Sequence, residues 1–388
     1  MKTALVLSGN FGSSLAVTRA LGRAGWRIIV DGPGTNSARS RWAAATVTLP
    51  DAYADPDRFA EALVTELRRS DVDLLVPSTD HEVALAWRVV DEADGTAVLG
   101  GDRESACRFL DKARTIELAR QFEFPIPESH APLDLDAVVE ACAAVGYPCV
   151  IKPRRSYIRL DGALRYVRHC VVANEAEAAE AAAARTGDDG QPPIVQQLVP
   201  GRSLSVTVVA AAGRVVARAA RETFSFLPVH GGISVFKRTV PPETAGIEAA
   251  TSFLLAAGLQ GLAELEFQLD AEAVPRLMEV GPRPHGWLQL AEAARSGLIE
   301  AAAAAAQGFT PRPLPPYASG VEMRWVGGEL RRLRFVLAPG AASRRSILSA
   351  AWPLWRPGML FDNVDLADPG PWAPRPLARL LAWGSSRG

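Results

Sequence analysis

The first hundred residues alternate short apolar runs with helical patterns, and this alternation limits the possible folds more than any other feature of the chain. The runs are ALVLS from Ala4, RIIVD ending at Asp31, ATVTL ending at Leu49 and DLLVP ending at Pro77. Between the third and fourth, Phe59, Leu63 and Leu67 recur at a helical turn's spacing beside Arg68 and Arg69, as on an amphipathic helix. Strand, helix, strand order calls for a parallel, doubly wound sheet, here a Rossmann-like domain over residues 1–104. The turn SGNFGSSLAV places Gly9 and Gly12 between strand and helix but lacks the full G-x-G-x-x-G spacing. A packing turn is therefore the main reading and a dinucleotide site the lesser one. In PSTDHE, Asp80, His81 and Glu82 follow a strand end, where loops reach the crevice of an open α/β sheet. A capped helix start accounts equally for Ser78, Thr79 and Glu82.

A different organisation begins near Ser105. Helical stretches from Asp111 to Phe122 and from Leu133 to Val145 flank FPIPES, and the strand YPCVIKP ends in Lys152 and Pro153. The segment NEAEAAEAAAARTG reads as an exposed helix closed by Gly187. The strands PIVQQLV, SLSVTVVAAAG and RVVARAARE, the last two about a turn at Gly213, predict an antiparallel α+β domain over 105–312, with a small lobe near 130–200.

Near its end, GLAELEFQLD and VPRLMEV flank the turn AEAV and form a hairpin pattern. If Asp270 pairs with Pro275, Glu266 lies opposite Glu279. Two carboxylates about 5 Å apart repel by roughly 3 kcal/mol at an effective dielectric of about 20, so a cation belongs between them. Two acids on neighbouring strands suit Mg2+, which binds through one or two carboxylates and completes its octahedron with phosphate and water. A solvated face carrying Glu264, Glu266 and Gln268 is the alternative that the hairpin alone leaves open.

In order and spacing, DKARTIELARQFEFPIPES, YPCVIKPR, IVQQLVPG, HGGISVFKRTV, the LEF strand and LMEVGPRPHGWLQLA resemble the ATP-grasp superfamily. More narrowly they resemble its carboxylate-amine ligase branch, the relatives of carbamoyl-phosphate synthase and D-alanine ligase. The resemblance implies a Rossmann-like α/β half followed by an α+β ATP-grasp fold, and an ADP-forming ligase that uses ATP and Mg2+, with Mn2+ as a substitute. It implies that Lys112 and Lys152 contact ATP phosphates and that Gln196, Gln197, Leu198 and Val199 form a hinge whose backbone holds adenine. It also implies that Glu266 and Glu279 bind metal and that Arg283, with Lys152, offsets charge on the transferring phosphoryl group. Gly281 stands where the family has a metal-sharing asparagine, and Ser203 where relatives often carry an acid for the ribose. RRSYIRLDGALR replaces the family's glycine-rich phosphate loop with a basic, stiffer segment.

Arg154, Arg155, Lys237, Arg238 and His285 lie in or beside these motifs and suit an acidic small-molecule substrate. The partners expected are thus a carboxylate and an amine. Lys plus Arg total 42 against 43 Asp plus Glu, a net charge of -1, which offers no general attraction to nucleic acid. No apolar run approaches the roughly 20 residues of a membrane helix, and MKTALVLSGN is too short for a signal-peptide core. Four cysteines without a CxxC pair argue against a zinc site or disulfide scaffold, so a cytoplasmic protein is expected. The extension 313–388 carries RRLRF, ASRRS, WPLWRPG and PRPLARLLAW, interleaving cationic and aromatic residues as a membrane-surface segment does. Its prolines argue against a long amphipathic helix, leaving a flap over the core or a homo-oligomer contact, anchored by Trp352 and Trp355. Two other functions fit the pattern: a small-molecule kinase and, given Gly281 and Ser203, a catalytically weakened nucleotide-binding protein.

Overall fold

The computed structural model describes residues 1–93, 95–227, 232–337 and 357–373. Five parallel strands open the chain: β1 (Thr3–Val6), β2 (Arg27–Asp31), β3 (Ala43–Val47), β4 (Leu74–Val76) and β5 (Ala97–Val98), in the order β3-β2-β1-β4-β5. This is the doubly wound sheet that the alternation predicts. Helix α1 (Gly12–Arg23) follows β1, and α2 (Pro56–Arg69) presents Phe59, Leu63 and Leu67 to the core, capped by Asp55. A Cβ on Gly9 would stand 2.3 Å from Thr35 Oγ1 and 2.8 Å from the Asp31 carbonyl, so Gly9 serves packing, as read. Helix α3 (Asp80–Val89) starts with a Thr79/Glu82 capping box.

Helices α4 (Arg103–Phe109) and α5 (Lys112–Gln121) lead into a small antiparallel sheet. Its strands are β6 (Ser129–His130), β7 (Cys149–Lys152), β10 (Cys170–Val172) and β11 (Ile194–Gln197), ordered β10-β7-β11-β6. Between β7 and β10 the basic segment folds as a hairpin of its own, β8 (Tyr157–Leu160) with β9 (Ala163–Tyr166), turning at Asp161 and Gly162, both at positive φ. The alanine-rich helix spans Glu175–Ala183 and ends well before Gly187. Gly187 instead packs on the Arg159 backbone, where a Cβ would meet the carbonyl at 2.8 Å.

The large sheet contains β12 (Arg202–Ala211), β13 (Arg214–Leu227), β14 (Ile233–Thr239), β15 (Gly261–Leu269), β16 (Pro275–Gly281), β17 (Glu322–Arg324) and β18 (Leu360–Phe361), ordered β16-β15-β12-β13-β14-β17-β18. Alternation splits its faces. Leu204, Val206, Val208, Leu265 and Phe267 are buried in one apolar cluster with helix residues Ile247, Phe253, Leu254, Leu298 and Ile299. That cluster also takes in Ala16, Val17 and Leu21 of α1, so the N-terminal sheet and the large sheet share a core. Truncating Phe267, which is fully buried there, to alanine would cost about 3–5 kcal/mol.

Two features differ from the sequence expectation. In the hairpin, Leu269 rather than Asp270 pairs with Pro275, because the Asp270 side chain accepts from the Glu272 and Val274 amides and closes the turn. A register shift between Glu266 and Phe267 follows, with Met278 as the extra residue. The segment 357–373 packs on the N-terminal half, where buried Asp368 receives Arg19 Nε at 2.8 Å and the Arg41 amide at 2.8 Å. Trp352 and Trp355 lie outside the described residues. Among the described residues no helix is long and apolar enough to cross a membrane.

Candidate functional site

The polar face of the large sheet is the floor of a cavity of about 2040 Å³. One cross-strand row traverses that face: Glu279 is opposite Glu266, Glu266 opposite Ser205, Ser205 opposite Arg221 and Arg221 opposite Thr239. The next row runs Gln268, Ser203, Thr223, Lys237. These side chains share a face because each lies an even number of residues from a neighbour in its own strand. The small sheet and its hairpin roof the cavity, while Asn10, Phe11, Tyr53, Asp80 and His81 close it from the N-terminal side.

The predicted acidic pair is in place despite the register difference, since the bulge at Met278 restores Glu266 opposite Glu279. The cationic neighbours demanded by the charge argument are present as well. Lys112 Nζ lies 3.5 Å from Glu279 Oε1, and Arg221 NH2 lies 3.3 Å from both Glu266 Oε1 and Glu264 Oε1. Burial and then the neighbouring Glu264 push the Glu266 carboxyl up to about 7. The donor set fits Mg2+: two opposed carboxylates on a cavity wall leave the remaining positions to water and phosphate oxygens. Among the described residues no group of three or more His, Cys, Asp and Glu forms a fuller cage. A Cβ on Gly281 would meet nothing within 4 Å, so the position that lacks the family's asparagine is open space.

Lys152, at the end of β7, enters the same region. Its Nζ donates to Gln196 Oε1 at 2.5 Å and to the Met278 carbonyl at 3.3 Å. Burial lowers its ammonium pKa to about 8, against the pull of Glu279. The Gln196 side chain, expected to be uninformative, thus holds Lys152 and in turn donates to Ser129 Oγ. Gln197, Leu198 and Val199 line the cavity where the chain leaves the small sheet. Lys112 Nζ also donates to Ser156 Oγ at 3.2 Å.

Arg283 is fixed from the N-terminal half. Its Nε donates to Asp80 Oδ1. Burial opposes ionisation of Asp80, but Arg283 and Lys112 hold its carboxyl down at about 2. The preceding backbone is pinned by a close crossing in which the Gly101 amide donates to the Pro282 carbonyl and a Cβ on Gly100 would come within 2.6 Å of that oxygen. Asp80 therefore does more than begin a helix, a role the sequence reading left to the cap. His285 is buried, bonded through Nε2 to Thr207 Oγ1 at 2.6 Å, and burial lowers its pKa to about 4.

Of the five basic residues assigned to substrate, Lys237 and His285 line the cavity and Arg154, Arg155 and Arg238 do not. Arg238 follows Lys237 in β14 and so points to the opposite face, where it stacks on Phe224 and approaches Glu322. Arg154 is drawn to Asp111, the cap residue of α5, at 2.7 Å, and so supports the helix that begins with Lys112. Arg155 reaches Tyr157. Sequence reading missed Arg221, Asp80 and Asp362 as cavity residues. For Arg221 a signal existed: its register from the Gly213 turn places it in line with Ser205 and Glu266.

The hairpin β8–β9 spans the cavity mouth. The Leu164 amide donates to the Tyr53 carbonyl at 2.7 Å, Arg159 reaches Asp57 at 3.2 Å, and the His81 ring lies between Tyr53 and Tyr157.

Residues 189–329 match the family model described as "ATP-grasp in the biosynthetic pathway with Ter operon". The carbamoyl phosphate synthase large chain of Clostridium acetobutylicum is 24% identical over 195 residues, which is 49% of this chain and only 18% of that longer protein. The fold is similar to biotin carboxylase from Campylobacter jejuni, solved with β,γ-ATP, at a TM-score of 0.63 and 16% identity, covering 83% of this chain and 74% of that one. It is similar also to an N5-carboxyaminoimidazole ribonucleotide synthetase solved with ADP, at a TM-score of 0.62 and 18% identity, covering 86% and 85%.

Proposed function

Because this chain is a member of the ATP-grasp superfamily, we propose that it is an ADP-forming ligase that activates a small-molecule carboxylate as an acyl phosphate and couples it to an amine. The observation that carries this reading is the floor row itself: Glu279 and Glu266 at one end, beside Lys112 and Lys152, and Arg221 further along the same face. A cavity of about 2040 Å³ exceeds the few hundred to ~1,000 Å³ that hold one small ligand, leaving space for a nucleotide and a second substrate.

In this reading Gln197, Leu198 and Val199 face the adenine, and Lys152 and Lys112 bind the phosphate chain. Lys152 is preset for that task, because Gln196 and the Met278 carbonyl already orient its ammonium group. Glu266 and Glu279 would hold Mg2+, which supplies charge neutralisation across the phosphate oxygens. The acid's carboxylate oxygen attacks the γ-phosphorus, the bond to the β,γ-bridging oxygen breaks, and ADP leaves. Arg283, held rigid by Asp80, offsets negative charge on the transferring group, and the hairpin β8–β9 excludes water from the acyl phosphate. The amine then attacks the acyl carbon, phosphate departs and the amine loses a proton, leaving an amide.

The test is incubation with Mg-ATP, a library of amino acids and other carboxylates, and hydroxylamine as a general nucleophile. ADP, phosphate and hydroxamate are measured together. Matching ADP and hydroxamate support the ligase. ADP with an accumulating phosphorylated product and no hydroxamate replaces it with a kinase, and bound but intact ATP replaces it with a nucleotide-binding protein.

A further inference from the structure

The inner end of the cavity, beyond the metal carboxylates, is built from parts outside the residues that match the family model. Lys237 on β14 is fully buried and its Nζ donates to Asp362 Oδ2 at 2.9 Å. Asp362 follows β18, and both residues line the cavity. Its other oxygen, Oδ1, is buried and accepts no hydrogen bond. One residue on, Asn363 exchanges bonds with Gln289, taking Gln289 Nε2 at 3.0 Å and donating its own amide to Gln289 Oε1 at 2.8 Å, which fixes the strand end carrying Asp362. Towards the metal side, Arg221 spends only its NH2 group on Glu264 and Glu266, while Nε and NH1 are buried without partners.

Two unsatisfied functions of opposite character therefore face one cavity: donors on Arg221 and an acceptor on Asp362. Arg221 and Lys237 sit diagonally across β13 and β14, a separation of about 7–8 Å. Buried donors and acceptors left unpaired are costly, and their partners here must come from a ligand. The charges are already balanced in pairs, Arg221 with Glu264 and Lys237 with Asp362. A simple anion would bury a net charge, whereas a molecule with a carboxylate at one end and an ammonium at the other buries none.

We propose that this region is an amino-acid subsite in which Arg221 takes the carboxylate to be activated and Asp362 Oδ1 accepts from the ammonium group. The inference rests on the ligase reading for the carboxylate's fate, but not for its binding. It places the residue that selects the substrate in the C-terminal segment, and it replaces an acidic substrate with a zwitterionic one.

The test is thermal-shift and calorimetric binding of amino acids, and of the same carbon skeletons lacking the amino group, to the full-length protein in the presence of Mg-ADP. Wild type is expected to bind at least one amino acid, and its des-amino counterpart about 10- to 100-fold more weakly. In Asp362→Asn that preference should disappear while Mg-ATP binding, the fold control, persists. Should Asp362→Asn fail to fold because Lys237 is left buried and unpaired, the double variant Lys237→Met, Asp362→Asn carries the same test. Binding of no amino acid, equal binding of the des-amino analogues, or an unchanged preference in the variant overturns the subsite. Absence of hydroxamate with amino-acid binding intact would instead overturn the ligase reading and leave the subsite standing.

Discussion

Glu266 and Glu279 stand directly opposite each other on neighbouring strands because Met278 is an extra residue in the hairpin that joins them. Without that bulge, the Leu269–Pro275 register would set Glu266 against Met278 and turn Glu279 to the other face of the sheet. The pairing thus depends on a backbone irregularity, and Met278 contributes its carbonyl to Lys152 as well.

Replacement of Glu279 by Ala is expected to leave the fold intact, since its side chain is about one-third exposed and its described ion pair is the 3.5 Å contact with Lys112. Acid-dependent ADP formation should fall by at least ~100-fold, as for loss of a group that stabilises developing charge. Full activity in this variant would remove Glu279 from the metal site.

Gly281 invites the opposite experiment. Its Cβ position is empty, so Gly281→Asn adds an amide oxygen beside the two carboxylates without a clash. The Mg2+ concentration that gives half-maximal ADP formation should fall several-fold. An unchanged or higher requirement would show that the open space does not adjoin the ion.

Asp80 is a positioning residue acting through Arg283. Asp80→Asn should lower kcat by about tenfold to 100-fold while the Kd for Mg-ATP changes little, because Arg283 is assigned to the transferring group rather than to ATP binding. A variant that weakens ATP binding with kcat unaltered would contradict that division. The pair also predicts acid behaviour. Asp80 has a folded pKa of about 2, below its ordinary value of 3.8, so it stabilises the fold at higher pH and that contribution is lost as pH falls from about 4 towards 2. Asp80→Asn should unfold with a shallower pH dependence over that interval.

Lys152 sets a second pH dependence. Its folded pKa is about 8 against 10.5 for an ordinary lysine, so the ammonium is present below about 8 and is lost as pH rises through that value. The same depression means that the buried charge costs stability below about 8, a cost that ATP phosphates offset. Mg-ATP affinity should therefore decline above pH 8, and binding near pH 8.5 should take up protons, seen as a buffer-dependent enthalpy in calorimetry. Lys152→Arg should lose the proton uptake. Binding without proton uptake at that pH in the wild type would separate Lys152 from the phosphates.

Much of this was legible in the sequence for identifiable reasons. Period-two alternation in SLSVTVV and ELEFQL placed Ser203, Ser205, Glu264 and Glu266 on one face and the core on the other, and a short turn set the hairpin within one residue of its actual register. What escaped was non-local. Nothing near Asp80 announces Arg283, and nothing near Asp362 announces Lys237; both contacts arise from how the N-terminal sheet and the C-terminal segment dock on the floor. Arg154 and Arg238 misled because being near a motif in sequence says nothing about direction: one side chain was claimed by a helix cap and the other by strand alternation.

The central claim, that a carboxylate oxygen attacks phosphorus, leaves an isotopic mark. Amino acids labelled with 18O in the carboxylate, pooled and then single, would be incubated with the protein, Mg-ATP and hydroxylamine, and the released phosphate examined by mass spectrometry. The account predicts one labelled oxygen in each phosphate formed, because the bridging oxygen of the acyl phosphate departs with phosphorus. Phosphate released without label, or ATP left intact with the whole pool, would contradict it.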